Sequence, residues 1–515
     1  MTRSDLSATL VSRLEADGVD IDRMIRFLDD LNAGKYDQAV EGQYASVPDL
    51  THPSILDRRG QTSITLDPSF AASRFTELGL PGSPSDWAHA GPEGHLTFGE
   101  DALRDLGVSL YPRAAYGVLN GGSASSYADV KKNRALDPDS FDRYREVFDS
   151  LATGCRGVPK GITAAYINAD GSPGYSFLLL KLRMVLRHRR EWQKKTGQSA
   201  EGVLPLFQMT SVHTDAAVAE ALDAYRTSEC IVPLVRESGG IEPEIVSACQ
   251  TMMAAITHSS EGSPRRIFDR AWGDSDRGIA MPGGHGQNFE VLAGVYRSFL
   301  ERGIRYVWLG NIDNMGYTVD PVGLAAFALS GKEAVFEQSF RTAMDVKGGI
   351  LVSGSDGRLT CADIGPAVSF QDVLDFEAKG KHILFNCGIG LFDLAALVPR
   401  LDSIPWKLPL RVTDQDKDAG RYAQAEQITW EVIGLLDNPL FFAVRKETRF
   451  LAAKMLMETI LTSLPPDTPQ KDVPITGGSD TPTIATVAAE LHQGLCSLLG
   501  SEYGLVERNS RWLPA

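Results

Sequence analysis

The apolar positions change their period along the chain. Near the start, Met24, Ile25, Phe27, Leu28 and Leu31 recur at helical spacing, which predicts an amphipathic helix, and the stretch VPDLTHPSILDRRG behind it reads as loop. From Tyr116 onward, short apolar runs alternate with Gly-rich turns and amphipathic helices: YGVLNGG, FLLLKLRMVLRHRR, LPLFQMTS, AVAEALDAY, VLAGVYRSFLERG and IRYVWLGNIDN. Strands alternating with helices in this way predict an α/β fold, a Rossmann-like mixed, mostly parallel sheet flanked by helices. On this reading residues 1–105 form an N-terminal helical and irregular layer, 106–400 a nucleotide-binding catalytic domain, and 401–515 a C-terminal region with a late lysine and a terminal helix. A stretch rich in Pro, Asp, Thr and Gly (463–483) reads as a linker ahead of the last amphipathic helix, IATVAAELHQGLCSLLG.

Composition narrows the class. At 515 residues, 43% hydrophobic and 23% charged, the chain suits a soluble globular protein of more than one structural unit. No apolar run approaches the roughly 20 residues that a membrane helix needs. Acids and arginines interrupt the apolar positions of the first segment, where a signal peptide would carry a solid apolar block, so the expected location is cytoplasmic. Cys155, Cys230, Cys249, Cys361, Cys387 and Cys496 form no CxxC pair and read as reduced thiols. A formal charge of -15 argues against a nucleic-acid binder. An anionic small molecule then requires a local set of lysines, main-chain N–H groups and a metal.

Such a set is present. LNGG, QMTS and NIDN each follow an apolar strand-like run, where ligands bind in parallel sheets. LNGGSASSY (119–127) is a glycine turn that lets a phosphate approach the main chain, and it is neither GxGxxG nor GxxxxGK[ST]. VPKG (158–161) sets a lysine beside a turn, PGGHG (282–286) is a second glycine loop, NIDN (311–314) ends a strand on a carboxylate, and TRFLAAK (448–454) carries a late lysine. Each has a bland counterpart: a solvated surface lysine, a capping aspartate, a turn histidine.

Taken in order, these segments resemble the UDP-sugar pyrophosphorylase family, the eukaryotic-type UTP:sugar-1-phosphate uridylyltransferases. The resemblance runs from about Tyr116 to Lys454 and includes LNGG, PKG, PGGHG, ERGIRYVWLGNIDNMGYTVDP, DVKGGILVSGSDGRL, FNCG, QAEQ and TRFLAAK. It implies a nucleotidyltransferase (GT-A-like) sheet and a Mg²⁺-dependent reaction of UTP with a sugar 1-phosphate, giving a UDP-sugar and pyrophosphate. It also implies roles: Asn120, Gly121 and Gly122 at the UTP phosphates, Gly284 and His285 along the nucleotide and sugar pocket, and Asp313 on the metal. Asp363 and Asn386 would bind sugar hydroxyls, and Lys160, Lys347 and Lys454 would meet phosphates. The chemistry agrees, because in-line attack of one phosphate on another needs positive charge and positioning more than a covalent nucleophile. No membrane or nucleic-acid partner is implied, and the oligomeric state stays open.

The chain departs from the family pattern in places. A long stretch separates the glycine turn from PKG, so the triphosphate lysine is either Lys160, favoured by the matching SPGYSFLLLKLRMVL behind it, or Lys131 or Lys132 at the more usual spacing. Gln287 stands where an acid usually follows GHG, Ala452 and Ala453 replace Pro-Val, and Asp363 replaces a glutamate. A uracil-reading glutamine is expected ahead of PRRI (264–267), where ITHSSEG offers His258 as the nearest candidate. A Pro-rich linker and one helix stand in place of the β-helical tail of glucose-type members. Glucose 1-phosphate is the first choice of sugar; galactose 1-phosphate or a broad range is the alternative. Other readings are a non-catalytic nucleotide-sugar sensor and a glycosyltransferase, which would need a second carboxylate near Asp313.

Overall fold

The computed structural model describes residues 2–38, 44–124, 127–342, 345, 347–464 and 484–515. Ser125 and Ser126 of the glycine turn, Val346 of DVKGG and most of the linker read at 463–483 lie outside the described residues.

Twelve strands organise the molecule: β1 (Ile55–Asp57), β2 (Ala114–Leu119), β3 (Leu206–Ser211), β4 (Ile245–Gln250), β5 (Tyr306–Asn311), β6 (Ala334–Phe340), β7 (Gly348–Gly354), β8 (Leu359–Ile364), β9 (Leu384–Asp393), β10 (Arg411–Lys417), β11 (Gly420–Glu426) and β12 (Leu440–Val444). The main sheet runs β1-β12-β6-β9-β5-β2-β3-β4. Its neighbours pair in parallel except at β9, which is antiparallel to both β5 and β6. The mixed, mostly parallel sheet expected from the pattern is therefore present. Every residue of β2 and β3 is buried, which is why they read as continuous apolar runs instead of alternating ones.

The sheet draws on all three stretches of the chain, since β1 precedes residue 105 and β12 follows residue 400. The N-terminal helix Ile21–Asn32 is capped by Asp20 and buries Met24, Ile25, Phe27 and Leu28 beside Met253, Ile256, Ala423 and Ala425. It thus clamps the β10–β11 ribbon. Helix Phe177–Thr196, capped by Ser176 and closed by left-handed Gly197, covers the main sheet and buries Lys181 and Arg183 along with its leucines. The stretch after the glycine turn folds as three short helices, Val130–Leu136, Pro138–Arg143 and Arg145–Cys155. They dock on helix Leu456–Ser463: Tyr127 and Thr459 hydroxyls pair at 2.6 Å, and Met457 N–H donates to Asn133 Oδ1 at 2.8 Å. The terminal helix, Ile484–Ser501, is followed by a hairpin of Leu505–Arg508 and Arg511–Pro514 that the sequence reading did not include. Asn509 and Ser510, both at positive φ, form its two-residue turn.

Candidate active site

Because β2, β3, β4 and β5 run parallel, their C-terminal ends open on one rim, the usual ligand edge of such sheets. Antiparallel β9 begins on that same rim, with Ile389 opposite Gly310. The double glycine, Gln250, Asn311 and Asn386 are thereby brought within one neighbourhood from positions 265 residues apart in the chain at their extremes (121 to 386).

The glycine turn and the PKG turn are joined by main-chain hydrogen bonds, Lys160 N–H to Gly122 O (3.0 Å) and Ala124 N–H to Val158 O (3.0 Å). Asn120 is fully buried, with its amide donating to Gln208 Oε1 at 3.0 Å. A Cβ on Gly161 would lie 2.1 Å from Asn120 Oδ1, so only glycine fits there. The Asn120 side chain is thus packed against Gln208 and the PKG turn, with its Oδ1 buried and without a hydrogen-bond partner among the described residues. Lys160 reaches over the rim, its Nζ donating to Asp313 Oδ2 at 2.5 Å and to the carbonyl of Ala453. Lys131 and Lys132 are exposed on helix Val130–Leu136. Of the three candidate lysines, Lys160 is the one placed against the glycine turn and the aspartate.

Asp313 sits in a loop held from two sides. Asn314 Oδ1 accepts from Leu451 N–H (3.0 Å), and Met315 N–H donates to Leu451 O (3.0 Å), so the late segment lies along the loop and carries Lys454 to the same cavity. Behind it, fully buried Lys181 donates to the carbonyls of Asn314 (2.6 Å) and Tyr317 (2.5 Å) and to the Tyr503 hydroxyl (3.0 Å). Arg449 anchors the late segment through a double contact with buried Glu337. A buried ion pair of this kind holds geometry because losing one partner leaves an uncompensated charge.

The second glycine loop is shaped by its neighbours. Gly284, at φ 81°, would drive a Cβ to 2.4 Å from the Gln427 carbonyl. Thr429 N–H donates to His285 Nδ1 at 3.1 Å, so the neutral ring carries its proton on Nε2. Burial, reinforced by Arg411, pushes the His285 imidazole down to about 4, and the ring is neutral at pH 7. Gln250, at the end of β4, donates from its amide to Gly284 O and to Gln287 Oε1, both at 2.8 Å. It precedes PRRI in the chain, and His258, the candidate nearer to PRRI, pairs with Ser260 and Asp414 at the β10–β11 ribbon. Its signal in the sequence was its place at the end of the apolar run IVSACQ.

A cavity of about 270 Å³ opens on this rim, lined by His285, Asp313, Lys454, Asp363, Asn386 and Arg411 among others. Asn386 Oδ1 accepts from Gly388 N–H at 2.9 Å. Lys347 lines a neighbouring cavity of about 310 Å³ that shares Lys454, Phe385 and Phe450 with the first. The predicted residues therefore lie close together except for Lys347, one cavity away. Sequence reasoning missed Arg411 and Glu431, for which no motif gave notice. Among the described residues no group of three or more His, Cys, Asp or Glu side chains is arranged for a metal. Asp313 alone offers one partly exposed carboxylate, which fits an ion such as magnesium that keeps water and takes its remaining ligands from substrate phosphates.

With this geometry in place, comparison with known proteins is informative. The family model described as UTP--glucose-1-phosphate uridylyltransferase matches residues 172–463, over half of the 515 in the chain. The UTP--glucose-1-phosphate uridylyltransferase of Hordeum vulgare is 24% identical over 333 residues, 64% of this chain and 64% of its own length. The chain thus matches just under two thirds of that relative's length. Among solved structures, the uridine diphosphate N-acetylglucosamine pyrophosphorylase of Trypanosoma brucei, in complex with an inhibitor, aligns at TM-score 0.57 and 15% identity, over 96% of this chain and 79% of that one. The UDP-glucose phosphorylase of the same organism aligns at 0.53 and 18%, over 88% and 77%. At such identities the likeness is one of fold.

Proposed function

The chain belongs to the UTP--glucose-1-phosphate uridylyltransferase family, and from that premise we propose that it joins a sugar 1-phosphate, glucose 1-phosphate first, to the uridylyl group of UTP and releases pyrophosphate. An oxygen of the sugar phosphate attacks the α-phosphorus of UTP. One P–O bond forms there as the bond from the α-phosphorus to the bridging oxygen breaks, and pyrophosphate leaves with that oxygen. The convergence of Lys160, Asp313 and Lys454 on one rim carries this reading, because it supplies charge where three phosphates must meet. Lys160, paired with Asp313 here, transfers its charge to the triphosphate when the nucleotide enters. Lys454 faces the same space from the late segment and opposes the repulsion between attacking and accepting phosphates.

Asp313 would hold Mg²⁺, which when bound neutralises phosphate charge and orients the α-phosphate. Gly121 and Gly122 leave the main chain open to phosphate oxygens, and the neutral His285 offers a fixed Nε2–H donor. We assign Gln250 to the pyrimidine edge, since its amide is already oriented by Gly284 and Gln287. The six cysteines are all unpaired, which suits a reducing compartment such as the cytoplasm.

The test is ³¹P NMR of the protein with Mg²⁺, UTP and either glucose or galactose 1-phosphate. UDP-sugar and pyrophosphate signals appearing together, and only when both substrates are present, are the expected result. Binding of UDP-glucose with no turnover of any sugar 1-phosphate would overturn the reading.

A further inference from the structure

The cavity that Asp313 lines also contains a charge arrangement that the transfer chemistry does not use. Arg411, the first residue of β10, is half exposed there, with its Nη1 donating to Asp363 Oδ2 at 2.6 Å. Its Nη2 and Nε donate to Glu431 Oε1 at 2.6 and 3.1 Å. One guanidinium is thus shared by two carboxylates, and the cluster is formally anionic by one charge. The second oxygen of Glu431, Oε2, is buried with no hydrogen-bond partner among the described residues, so that part of its charge is not compensated by the protein. Desolvation raises the Glu431 carboxyl above its ordinary value, in keeping with a negative charge poorly matched by its surroundings.

All three side chains line the same cavity as Asp313 and Lys454, with Asn386 among them. On the uridylyltransferase reading Lys454, which lines the same cavity, meets phosphate, and this leaves the cluster for the sugar ring. We propose that the Asp363–Arg411–Glu431 cluster is a specificity element that admits sugar 1-phosphates with neutral or cationic rings and excludes those whose ring bears a second acid, as in a uronic acid 1-phosphate. The proposal rests on the uridylyltransferase reading. A sugar hydroxyl finds acceptors on Asp363 and donors in the unused N–H groups of Arg411. A ring carboxylate would compete with Asp363 and Glu431 for a guanidinium already held by both, and would add a third negative charge to a cavity of about 270 Å³. Selection here works by repulsion as much as by attraction.

The experiment compares kcat/KM for glucose, glucosamine and glucuronic acid 1-phosphates with Mg²⁺ and UTP, in wild type and in Glu431→Gln. The wild type is expected to use glucuronic acid 1-phosphate at least about a hundredfold less well than glucose 1-phosphate, while glucosamine 1-phosphate stays within about tenfold. Glu431→Gln is expected to raise the glucuronate-to-glucose ratio at least about tenfold. Equal use of glucuronic acid 1-phosphate and glucose 1-phosphate by the wild type would overturn the proposal, and that result needs no variant to fold. Should no sugar phosphate turn over, the transferase reading fails by itself. Calorimetric binding of UDP-glucose against UDP-glucuronic acid then decides the charge selection: at least about tenfold weaker binding of the acid sustains it, and equal binding ends it.

Discussion

The two ends of the cavity are built differently. At the end proposed for phosphate, the double glycine and Asp313 follow directly on the ends of β2 and β5, and the positions of their groups follow from the sheet. At the sugar end, Asp363, Arg411 and Glu431 come from β8, β10 and a 3-10 turn (Thr429–Leu435), and they hold one another through side chains. The first end depends on backbone geometry and tolerates little change. The second depends on a few long side chains, whose replacement alters which ligand fits without altering the sheet. If the proposed function holds, phosphate handling and sugar choice are separable by mutation.

The largest effect that would sharpen this contrast is at Asp313. Asp313→Asn keeps shape and removes the charge, and pyrophosphate release is expected to fall about 10³-fold, as for preorganised electrostatic groups, with little change in the thermal midpoint. Lys454→Ala follows, at about 10²-fold in kcat. Lys131→Ala and Lys132→Ala, in the exposed helix, are expected to leave initial rates unchanged, and a large loss there would move the triphosphate lysine away from Lys160. Next comes the packing beneath the glycine turn. Gly161→Ala presses a Cβ on Asn120 and is expected to cost about 1–3 kcal/mol in denaturant unfolding, with much of it recovered by adding Asn120→Ala. The smallest effect is at His285. Folded His285 stays neutral down to about pH 4, whereas the unfolded chain takes up that proton near its ordinary 6.5. The unfolded state binds more protons in this window, so stability falls as pH drops from about 6.5 to about 4 and levels off below. His285→Gln should flatten that portion of the stability profile measured by chemical denaturation.

The same contrast explains what was legible in the sequence. The sheet and its ligand rim were readable because buried parallel strands leave unbroken apolar runs, and because LNGG and NIDN end two of them. Lys160 could be favoured only through matching sequence behind it, since the helices that separate it from the glycine turn leave no spacing rule, and its contact with Asp313 depends on tertiary packing. Asn120 reads as a ligand residue because it stands in the turn, and its hydrogen bond to Gln208 depends on tertiary packing that the sequence does not reveal. Gln250, the residue proposed for the pyrimidine edge, was hidden by the 13 residues (251–263) that separate it from PRRI, over which the chain leaves β4 and enters the β10–β11 ribbon. Arg411 and Glu431 had no signal at all, because a guanidinium shared between two strands and a turn has no local pattern. The hairpin after Ser501 was missed although Asn509 and Ser510 are suited to a two-residue turn, because the segment is short and its apolar residues are few.

The central claim is that Lys160 and Asp313, 153 residues apart in the chain, act as one transfer centre. A double-mutant cycle on pyrophosphate release with Mg²⁺, UTP and glucose 1-phosphate tests it most directly, using Lys160→Met, Asp313→Asn and the two combined. If they form one unit, the double variant is expected to be no slower than the worse single variant to within about threefold. Losses that simply multiply would contradict the account and place the two side chains in separate roles.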